Sequence, residues 1–324
     1  MNRTGDSKII PLLVLCGPTA VGKSSLAMEL SQIIGTDIIS ADSAQVYKYM
    51  DIGTAKPSLQ DQKLIKHHLI DLIDPDQDFS VADYQKEAYK TIEAVYSEGK
   101  VPFLVGGTGL YIKAVKDHYA FGQQGADSTI RNYYLEIAEN KGLEYLYSKL
   151  EYLDPAAAKI IHPNDKRRII RALEVYDLEG KPISQQVNET KQNESCYNTL
   201  TFALNMDRES LYSRIDERVD QMLQKGFEEE VRMLMARGFD NSSPGMRILG
   251  YRQLLSYLSG EISFETAVNE IKKQTRNFAK RQLTWFRSDE SITWLNLGES
   301  DSNDMLSEKI YKKVKDLLLP QANK

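Results

Sequence analysis

A glycine-rich segment near the amino terminus has the residue types and spacing that hold phosphate groups. It matches the pattern G-x-x-x-x-G-K-[ST], in which glycines let backbone N–H groups close around phosphate oxygens at a helix start. Lys23 supplies a positive charge, and Ser24 can bind a magnesium ion. The segment consists of Gly17, Pro18, Thr19, Ala20, Val21, Gly22, Lys23 and Ser24. The pattern predicts a polyphosphate site but does not identify the polyphosphate.

A second polar segment runs from Asp42 to Tyr47 and follows a predicted strand. In a doubly wound sheet the carboxyl ends of the strands form the ligand crevice, so we expect Asp42 to face the phosphate loop. A carboxylate in that place could accept a proton or help to hold magnesium. The alternative interpretation is a helix cap, since Asp and Ser both favour that position.

A third segment, Gly106 to Tyr111, ends in the same predicted crevice. Its adjacent glycines allow a ligand to approach the backbone closely, and Thr108 offers a hydroxyl group. Helix-start chemistry explains the segment almost equally well. Further along, a polar stripe at helical spacing would most often be a solvated helix face. The stripe contains Arg214, Arg218, Gln221 and Lys225.

Positive charge is concentrated in two places, although the formal net charge of the chain is −5. Between Lys272 and Arg287 there are six positive residues and no acidic one, and Trp285 and Phe286 lie among them. A second cluster runs from Lys166 to Arg171. Either cluster alone would most often be an exposed helix face. Two clusters beside a phosphate site favour an anionic partner, and aromatic rings among arginines suit unpaired bases of a nucleic acid.

The elements that must position these residues alternate between strand and helix. Strands are predicted at Leu12 to Cys16, Asp37 to Ala41 and Val101 to Val105, with a helix from Lys23 and another capped by Ser80. After residue 199 a strand at 200–206, helices to about residue 287, a strand at 292–297 and a final helix are predicted. The fold class is therefore α/β, with a P-loop NTPase-like core whose parallel sheet is flanked by helices.

Only helical segments are predicted between residues 131 and 179, so a helical insertion domain interrupts the core. We assign residues 1–120 and 199–324 to the catalytic core and 121–198 to the insertion. Two cysteines, Cys16 and Cys196, exclude a disulfide scaffold, and His67, His68 and His162 lack metal-ligand spacing. With no apolar run long enough to span a membrane and no convincing signal peptide, a soluble cytoplasmic protein is expected.

Three classes of function are compatible with a phosphate loop. They are a nucleotide kinase that uses ATP, a nucleotide-dependent switch, and a transferase acting on nucleic acid. A GTP switch should carry the motif N-K-x-D, but the candidate Asn140 to Leu143 lacks the aspartate. A small nucleotide kinase does not need the basic clusters. The transferase uses every feature, and the kinase remains the alternative.

The order of several motifs resembles that of tRNA dimethylallyltransferases. The segments are GPTAVGKS at 17–24, DSAQVY at 42–47, DIGTAKP at 51–57, HHLID at 67–71, GGTGLY at 106–111, HPNDKRRIIRALEV at 162–175, GMRILGYR at 245–252 and KRQLTWFR at 280–287. Val21 and Ser24 stand where many members have Ser and Thr. This sequence shows no zinc-finger extension like that of eukaryotic members, so the resemblance leads us to expect a bacterial-type enzyme.

The resemblance implies transfer of a dimethylallyl group from dimethylallyl diphosphate to the exocyclic amine of the adenosine immediately 3′ of the anticodon. Asp42 would accept the proton, and Lys23, Arg218 and Mg²⁺ on Ser24 would stabilise the departing pyrophosphate. Thr108 would complete the site. ATP hydrolysis is not expected. The protein is expected to be a monomer with no obligate protein partner.

The same resemblance implies which residues contact the tRNA. Ser43, Ala44 and Gln45 would line the approach of the RNA beside Asp42 and Thr108. The anticodon arm would be held by Arg131, Arg167, Arg168, Ile169, Ile170, Arg171, Arg247, Arg252, Lys280, Arg281 and Arg287.

Overall fold

A computed structural model describes residues 9–119, 127–185, 196–298 and 303–317. Its centre is a six-stranded sheet in the order β3-β2-β4-β1-β5-β6, and each pair of neighbouring strands is parallel. The strands are β1 (Ile10–Cys16), β2 (Ile38–Ser40), β3 (His67–His68), β4 (Phe103–Gly106), β5 (Tyr197–Asn205) and β6 (Thr293–Asn296). The predicted α/β class with a parallel, P-loop-like sheet is confirmed.

The central strand β1 is almost entirely buried because the sheet is covered on both faces. Leu13 and Leu15 lie in one apolar cluster, with helix α1 (Lys23–Ile34), whereas Leu12 and Val14 lie in the other, with helix α3 (Val81–Ser97). This alternation follows from the period of two in a strand. It explains why the sequence of β1 reads as a continuous apolar run.

Contacts between residues divide the chain into two units, residues 1–115 with 196–324 and residues 116–195. The sequence placed the insertion at 121–198. The first unit holds the sheet together with α1, α3, α2 (Leu59–Leu64), α4 (Gly109–Lys116), α9 (Arg208–Gln224), α10 (Phe227–Ala236), α11 (Tyr251–Leu258), α12 (Phe264–Arg287) and α13 (Asn303–Leu317). The predicted loop at 122–128 and the polar stretch at 188–198 fall largely outside the described residues.

The insertion unit is helical, as its sequence predicts. Its helices are α5 (Ser128–Lys141), α6 (Leu143–Leu153), α7 (Pro155–Ala158) and α8 (Lys166–Glu179). They enclose their own apolar core, which includes Tyr134, Leu146, Leu150 and Leu173. Asp165 caps α8 by accepting a hydrogen bond from the backbone N–H of Arg168 at 3.1 Å.

The main difference between prediction and structure is the two-residue strand β3 at the sheet edge. Two histidines carry no strand pattern of their own, and β3 exists because Ile38 and Ile39 of β2 pair with His67 and His68. His68 also contacts Asp37 through Nε2 at 2.9 Å. Elsewhere the predicted strands and the helix from Lys23 are confirmed, and Ser80 and Asp83 form the capping box expected at α3.

None of the helices in the described ranges is both long enough and apolar enough to cross a membrane.

Candidate active site

The predicted site segments follow three neighbouring strands, β2, β4 and β1, and therefore meet at one edge of the sheet. Close backbone approach makes this possible. A Cβ at Gly106 would overlap the carbonyl group of Ala41, so only glycine lets the end of β4 lie against the end of β2. The backbone N–H of Thr108 then donates to the Ala41 carbonyl at 3.1 Å. The phosphate loop, Asp42 and Thr108 thus share one crevice, as expected.

The backbone of the phosphate loop adopts positive φ angles, which glycine favours. Gly17 and Gly22 have φ values of 143° and 102°, and the non-glycine Ala20 has a φ of 64°. A Cβ at Gly17 would lie 2.8 Å from the carbonyl oxygen of Leu204, on strand β5. Gly22 precedes α1 without a capping side chain, so the first N–H groups of that helix are left available to an anion.

Not every residue of the loop offers a group to a phosphate. Pro18 has no N–H, and its carbonyl accepts a hydrogen bond from Lys23 Nζ at 2.7 Å. The N–H of Thr19 donates to Gln282 Oε1 at 2.9 Å, and the Val21 side chain is buried in the core. Pro18 and Thr19 thus use backbone groups to support the loop, and its other N–H groups, with Lys23, form the predicted anion-binding face.

Two cations and one carboxylate interact in the crevice. Burial and the nearby Arg218 guanidinium lower the pKa of Lys23 to about 8, whereas the Asp42 carboxylate acts in the opposite direction. Burial also lowers the pKa of Arg218, again opposed by Asp42. Arg218 lies on α9, from which the sequence predicted a mostly solvated stripe. Within that stripe Arg218 is partly buried, and Arg214, Gln221 and Lys225 are exposed.

Asp42 begins a turn rather than a helix. Its Oδ1 accepts the N–H of Ala44 at 2.9 Å, an Asx-type contact, and residues 43–46 form a turn. The helix-cap alternative is therefore wrong. Oδ2 has no hydrogen-bond partner among the described residues, so one carboxylate oxygen is held in place while the other is available to a ligand.

Thr108 joins the second and third segments. Its Oγ1 accepts the N–H of Ser43 at 3.0 Å and donates to Ser43 Oγ at 3.3 Å. Helix α4 begins at Gly109, directly after it, so the helix-start interpretation is confirmed, and the site interpretation of this segment stays a prediction. Thr108 therefore fixes the turn that carries Asp42.

Gln45 lies in the same turn and is held at both ends of its amide. Its Oε1 accepts from Ser40 Oγ at 2.9 Å, and its Nε2 donates to the carbonyls of Thr54 and Ala55 at 3.4 and 3.3 Å. The orientation of this side chain is thus set by β2 and by the following loop.

The sequence interpretation missed Gln282, which connects two segments of the site from helix α12. In addition to its bond with Thr19, its Nε2 donates to the Gly107 carbonyl at 2.8 Å, and the side chain is buried. Trp285, one turn later, packs so closely on Gly109 that a Cβ there would overlap the indole ring. The signal in the sequence was an amide between Arg281 and Leu283 on a basic helix, which by itself indicates nothing about contacts.

The oxygen ligands in the crevice suit a small divalent cation. Ser24 is exposed at the start of α1, and the Asp42 Oδ2 atom is available. Magnesium prefers such hard oxygen ligands and commonly takes few from protein, the others coming from phosphate and water. The described residues contain no group of three or more His, Cys, Asp or Glu side chains able to bind a metal by themselves. The donor set therefore fits magnesium held together with a bound diphosphate.

The cluster at 272–287 divides into two parts on helix α12. Lys272, Lys273 and Arg276 form ion pairs with Asp220, Glu270 and Asp216. Within the described residues, Lys280, Arg281 and Arg287 form no ion pair and are exposed, while Trp285 is 37% exposed and Phe286 is buried. The carboxyl-terminal part thus keeps the exposed charge that an anionic partner needs.

Of two more predicted RNA contacts, Arg247 precedes helix α11 and Arg252 lies in its first turn. Both are exposed, whereas Met246 and Tyr251 beside them are buried. The segment 245–252 therefore alternates between side chains that anchor it in the core and arginines that face solvent.

In the insertion unit the structure corrects part of the predicted RNA contact. Ile169 and Ile170 are 0% and 4% exposed in the core of the unit, so their side chains cannot contact RNA. The buried carboxylate of Glu174 holds Arg131 and Arg171 at 3.1 and 3.2 Å. The remaining predicted contacts of this unit are Arg167, which is exposed without an ion pair among the described residues, and Arg168, which lies 3.4 Å from Asp165.

Comparison with known proteins places this arrangement in context. The family model described as IPP transferase matches residues 45–289. A tRNA dimethylallyltransferase of Carboxydothermus hydrogenoformans is 49% identical over 299 residues, covering 92% of this chain and 96% of the relative. A tRNA dimethylallyltransferase of Acetivibrio thermocellus is 47% identical over 304 residues, covering 94% and 96%.

Solved structures agree with these similarities. A full-length tRNA isopentenylpyrophosphate transferase from Bacillus halodurans has a TM-score of 0.71 at 39% identity, covering 95% of this chain and 96% of that one. A eukaryotic dimethylallyltransferase, described as captured in snapshots while acting on tRNA, has a TM-score of 0.81 at 28% identity, covering 97% and 81%.

Proposed function

The chain belongs to the IPP transferase family, and we propose that it transfers a dimethylallyl group from dimethylallyl diphosphate to a tRNA. The acceptor is the exocyclic amine of the adenosine immediately 3′ of the anticodon. The observation that carries this proposal is the juxtaposition of Asp42 with Lys23 and Arg218. A group that can take a proton lies beside two cations that suit a diphosphate leaving group.

The acceptor amine is a poor nucleophile because its lone pair is delocalised into the adenine ring. In our proposal the base is flipped out of the anticodon loop, at a cost of a few kcal/mol. The amine nitrogen then forms a bond to the first carbon of the dimethylallyl group while the carbon–oxygen bond to the diphosphate breaks. Asp42 takes the proton that the nitrogen loses, through the carboxylate oxygen that the Ala44 N–H leaves available.

Negative charge grows on the departing pyrophosphate during this step. Lys23, Arg218 and the N–H groups at the start of α1 are placed to stabilise it. Magnesium bound through Ser24 would add further charge stabilisation when present. Thr108 contributes by holding the turn that carries Asp42 and Ser43.

We further propose that the RNA approaches along Ser43, Ala44 and Gln45 and is bound by exposed cations. Within the first unit these are Arg247, Arg252, Lys280, Arg281 and Arg287, and within the insertion unit Arg167 and Arg168. Their support is exposure and, for all but Arg168, the lack of an ion pair among the described residues. A monomer in the cytoplasm, with no obligate protein partner, is proposed because the phosphate loop and the proton acceptor come from one chain.

The decisive test is nucleoside mass analysis of tRNA after incubation with the protein, dimethylallyl diphosphate and magnesium. The expected product is adenosine carrying one dimethylallyl group. Incubation with ATP in place of dimethylallyl diphosphate should leave the tRNA unmodified. Transfer of phosphate from ATP to an acceptor would instead support a P-loop nucleotide kinase and overturn the proposal.

A further inference from the structure

Glu230, on helix α10, is a buried carboxylate whose hydrogen bonds concentrate on one loop. It is 7% exposed, and its Oε2 accepts the backbone N–H groups of Asp51 and Ile52 at 2.9 and 2.7 Å. Its Oε1 accepts the N–H of Gly53 at 3.1 Å and the hydroxyl of Tyr251 at 2.5 Å. No Lys or Arg in the described part of the chain forms an ion pair with it.

Burying the Glu230 carboxylate without a cation costs free energy. A buried charge loses its hydration, and the usual compensation is an oppositely charged partner. Here the compensation comes from three successive backbone N–H groups, the geometry with which proteins commonly bind external anions. The loop at 51–53 is thus shaped around an anion that belongs to the protein itself.

The loop also packs closely against two aromatic rings. A Cβ at Gly53 would overlap the rings of Phe227 and Tyr251, which themselves meet edge to face at 4.9 Å between centroids. Phe227 is on the same helix as Glu230 and belongs to the same apolar cluster as Tyr251. Lys56 closes the loop from the other side through Asp51 and Asp71, at 2.5 and 2.6 Å.

The loop in turn orients Gln45. The carbonyls of Thr54 and Ala55, directly after the residues that Glu230 holds, accept the two hydrogen bonds of Gln45 Nε2. Gln45 lies three residues after Asp42, in the turn along which the RNA is proposed to approach. Hydrogen bonds from Glu230 to residues 51–53, the backbone of the 51–55 loop and hydrogen bonds from that loop to Gln45 therefore connect Glu230 to the wall of the site.

We propose that Glu230 is a positioning residue for the adenosine side of the active site, acting through the 51–55 loop on Gln45. It does not touch substrate. The expected effect on kinetics rests on the proposed function, whereas the expected effect on the 51–55 loop does not. It also explains the DIGTAKP segment, to which the sequence assigned no chemistry: its N–H groups, its glycine and its lysine each form part of this connection.

The test replaces Glu230 by Gln, with Glu229→Gln as the matched control, since Glu229 is exposed on the same helix. Glu230→Gln keeps the shape of the side chain but turns an N–H group toward a backbone N–H group. It also removes the negative charge, and hydrogen bonds to a charged group are stronger than those to a neutral one. We expect kcat/KM for tRNA to fall about tenfold, with the KM for dimethylallyl diphosphate unchanged within about twofold. Glu229→Gln should behave as the wild type.

A double-mutant cycle separates positioning from general weakening. If Glu230 acts through Gln45, Glu230→Gln should have little further effect in a Gln45→Ala background. Full additivity of the two substitutions would overturn the proposal, as would equal effects of Glu230→Gln on both substrates. Should Glu230→Gln fail to fold, Tyr251→Phe removes one of the four donors and should shift the same parameter in the same direction to a smaller extent.

Hydrogen exchange gives a readout that needs no activity. The amides of Asp51, Ile52 and Gly53 should exchange faster in Glu230→Gln than in Glu229→Gln, while amides of β1 keep their protection. Unchanged exchange at 51–53 would show that Glu230 does not hold the loop. If the loop responds but the wild type modifies no tRNA, the proposed function fails and the positioning role of Glu230 stands.

Discussion

The two halves of the basic segment 272–287 on helix α12 carry three cations each but differ in what those cations contact. Lys272, Lys273 and Arg276 are neutralised by carboxylates of the protein itself. Further along, Lys280, Arg281 and Arg287 are exposed without an ion pair in the described part of the chain. Residues of one sequence cluster thus serve two purposes, since the first three fasten α12 to α9 or stay within it, and the last three remain available to an anionic ligand.

The same distinction recurs beside the crevice. Lys56 is clamped between Asp51 and Asp71 and holds a loop, whereas Lys23 donates to a neutral carbonyl and keeps its charge for a ligand. An anion gains little from a cation that is already paired, because the pair must be broken first.

The largest effect is expected at Asp42, the carboxylate that interacts electrostatically with both Lys23 and Arg218. Asp42→Asn keeps the shape and the Ala44 contact but removes the group that takes the proton. The single-turnover rate should fall by about 10²- to 10⁴-fold with tRNA binding largely kept. Asp76→Asn, an exposed carboxylate outside the crevice, is the control. A rate within about threefold of the wild type would contradict the catalytic role of Asp42.

Lys23→Ala should impair both binding and chemistry because its charge acts on the bound diphosphate and on the departing pyrophosphate. We expect a loss of about 10²-fold or more in the single-turnover rate, with weaker pyrophosphate binding by calorimetry. Lys63→Ala, on exposed α2, should change neither. Intact pyrophosphate affinity in Lys23→Ala would mean that Lys23 is as neutralised as Lys56.

The pH dependence of pyrophosphate binding should report the lowered pKa of Lys23, about 8 in the free protein. Below this pH the amine is charged and ready to bind; above it a proton must be taken up on binding. The contribution of Lys23 to affinity should therefore fall by up to about tenfold per pH unit above pH 8. Calorimetry in two buffers measures the proton uptake, which should be missing in Lys23→Ala.

The two halves of the basic segment 272–287 can be compared directly by neutralising two cations in each. Lys280→Gln with Arg281→Gln should weaken tRNA binding and reduce the slope of log affinity against log salt by roughly 1.4, at about 0.7 per single-strand phosphate contact. Lys272→Gln with Lys273→Gln should leave the slope unchanged. Equal changes of slope in the two variants would show that ion pairing does not decide which cations contact RNA.

The smallest effect is expected in the insertion unit. Arg167→Gln should reduce the salt slope of tRNA binding by roughly 0.7 to 0.9 without loss of stability. Arg171→Gln should instead lower the melting temperature, since it leaves the buried Glu174 with one cation fewer. An unaltered slope in Arg167→Gln would make Arg167 part of a solvated helix face.

The amino-acid sequence predicts five of the six strands, the phosphate loop and the helices of the insertion. These depend on local features: apolar runs that end at glycine, a capping box at Ser80 and Asp83, and the fixed spacing of residues 17–24. Sequence and parallel-sheet topology together also placed Asp42 and Thr108 in one crevice, because all parallel strands end at the same edge. The edge strand β3 escaped prediction since its hydrogen bonds come from pairing with β2.

Which polar residues contact one another depends on segments that are distant in the sequence. Gln282 connects Thr19 to Gly107, more than 170 positions away in either case, and Glu230 holds residues 51–53 from a distant helix. Burial removed Ile169 and Ile170 from the predicted RNA contacts. Ion pairs neutralise the first half of the basic segment 272–287 and leave the second half exposed. The physical reason is that charge, hydrogen bonding and burial depend on partners brought together by folding, whereas strand and helix formation is largely written in neighbouring residues.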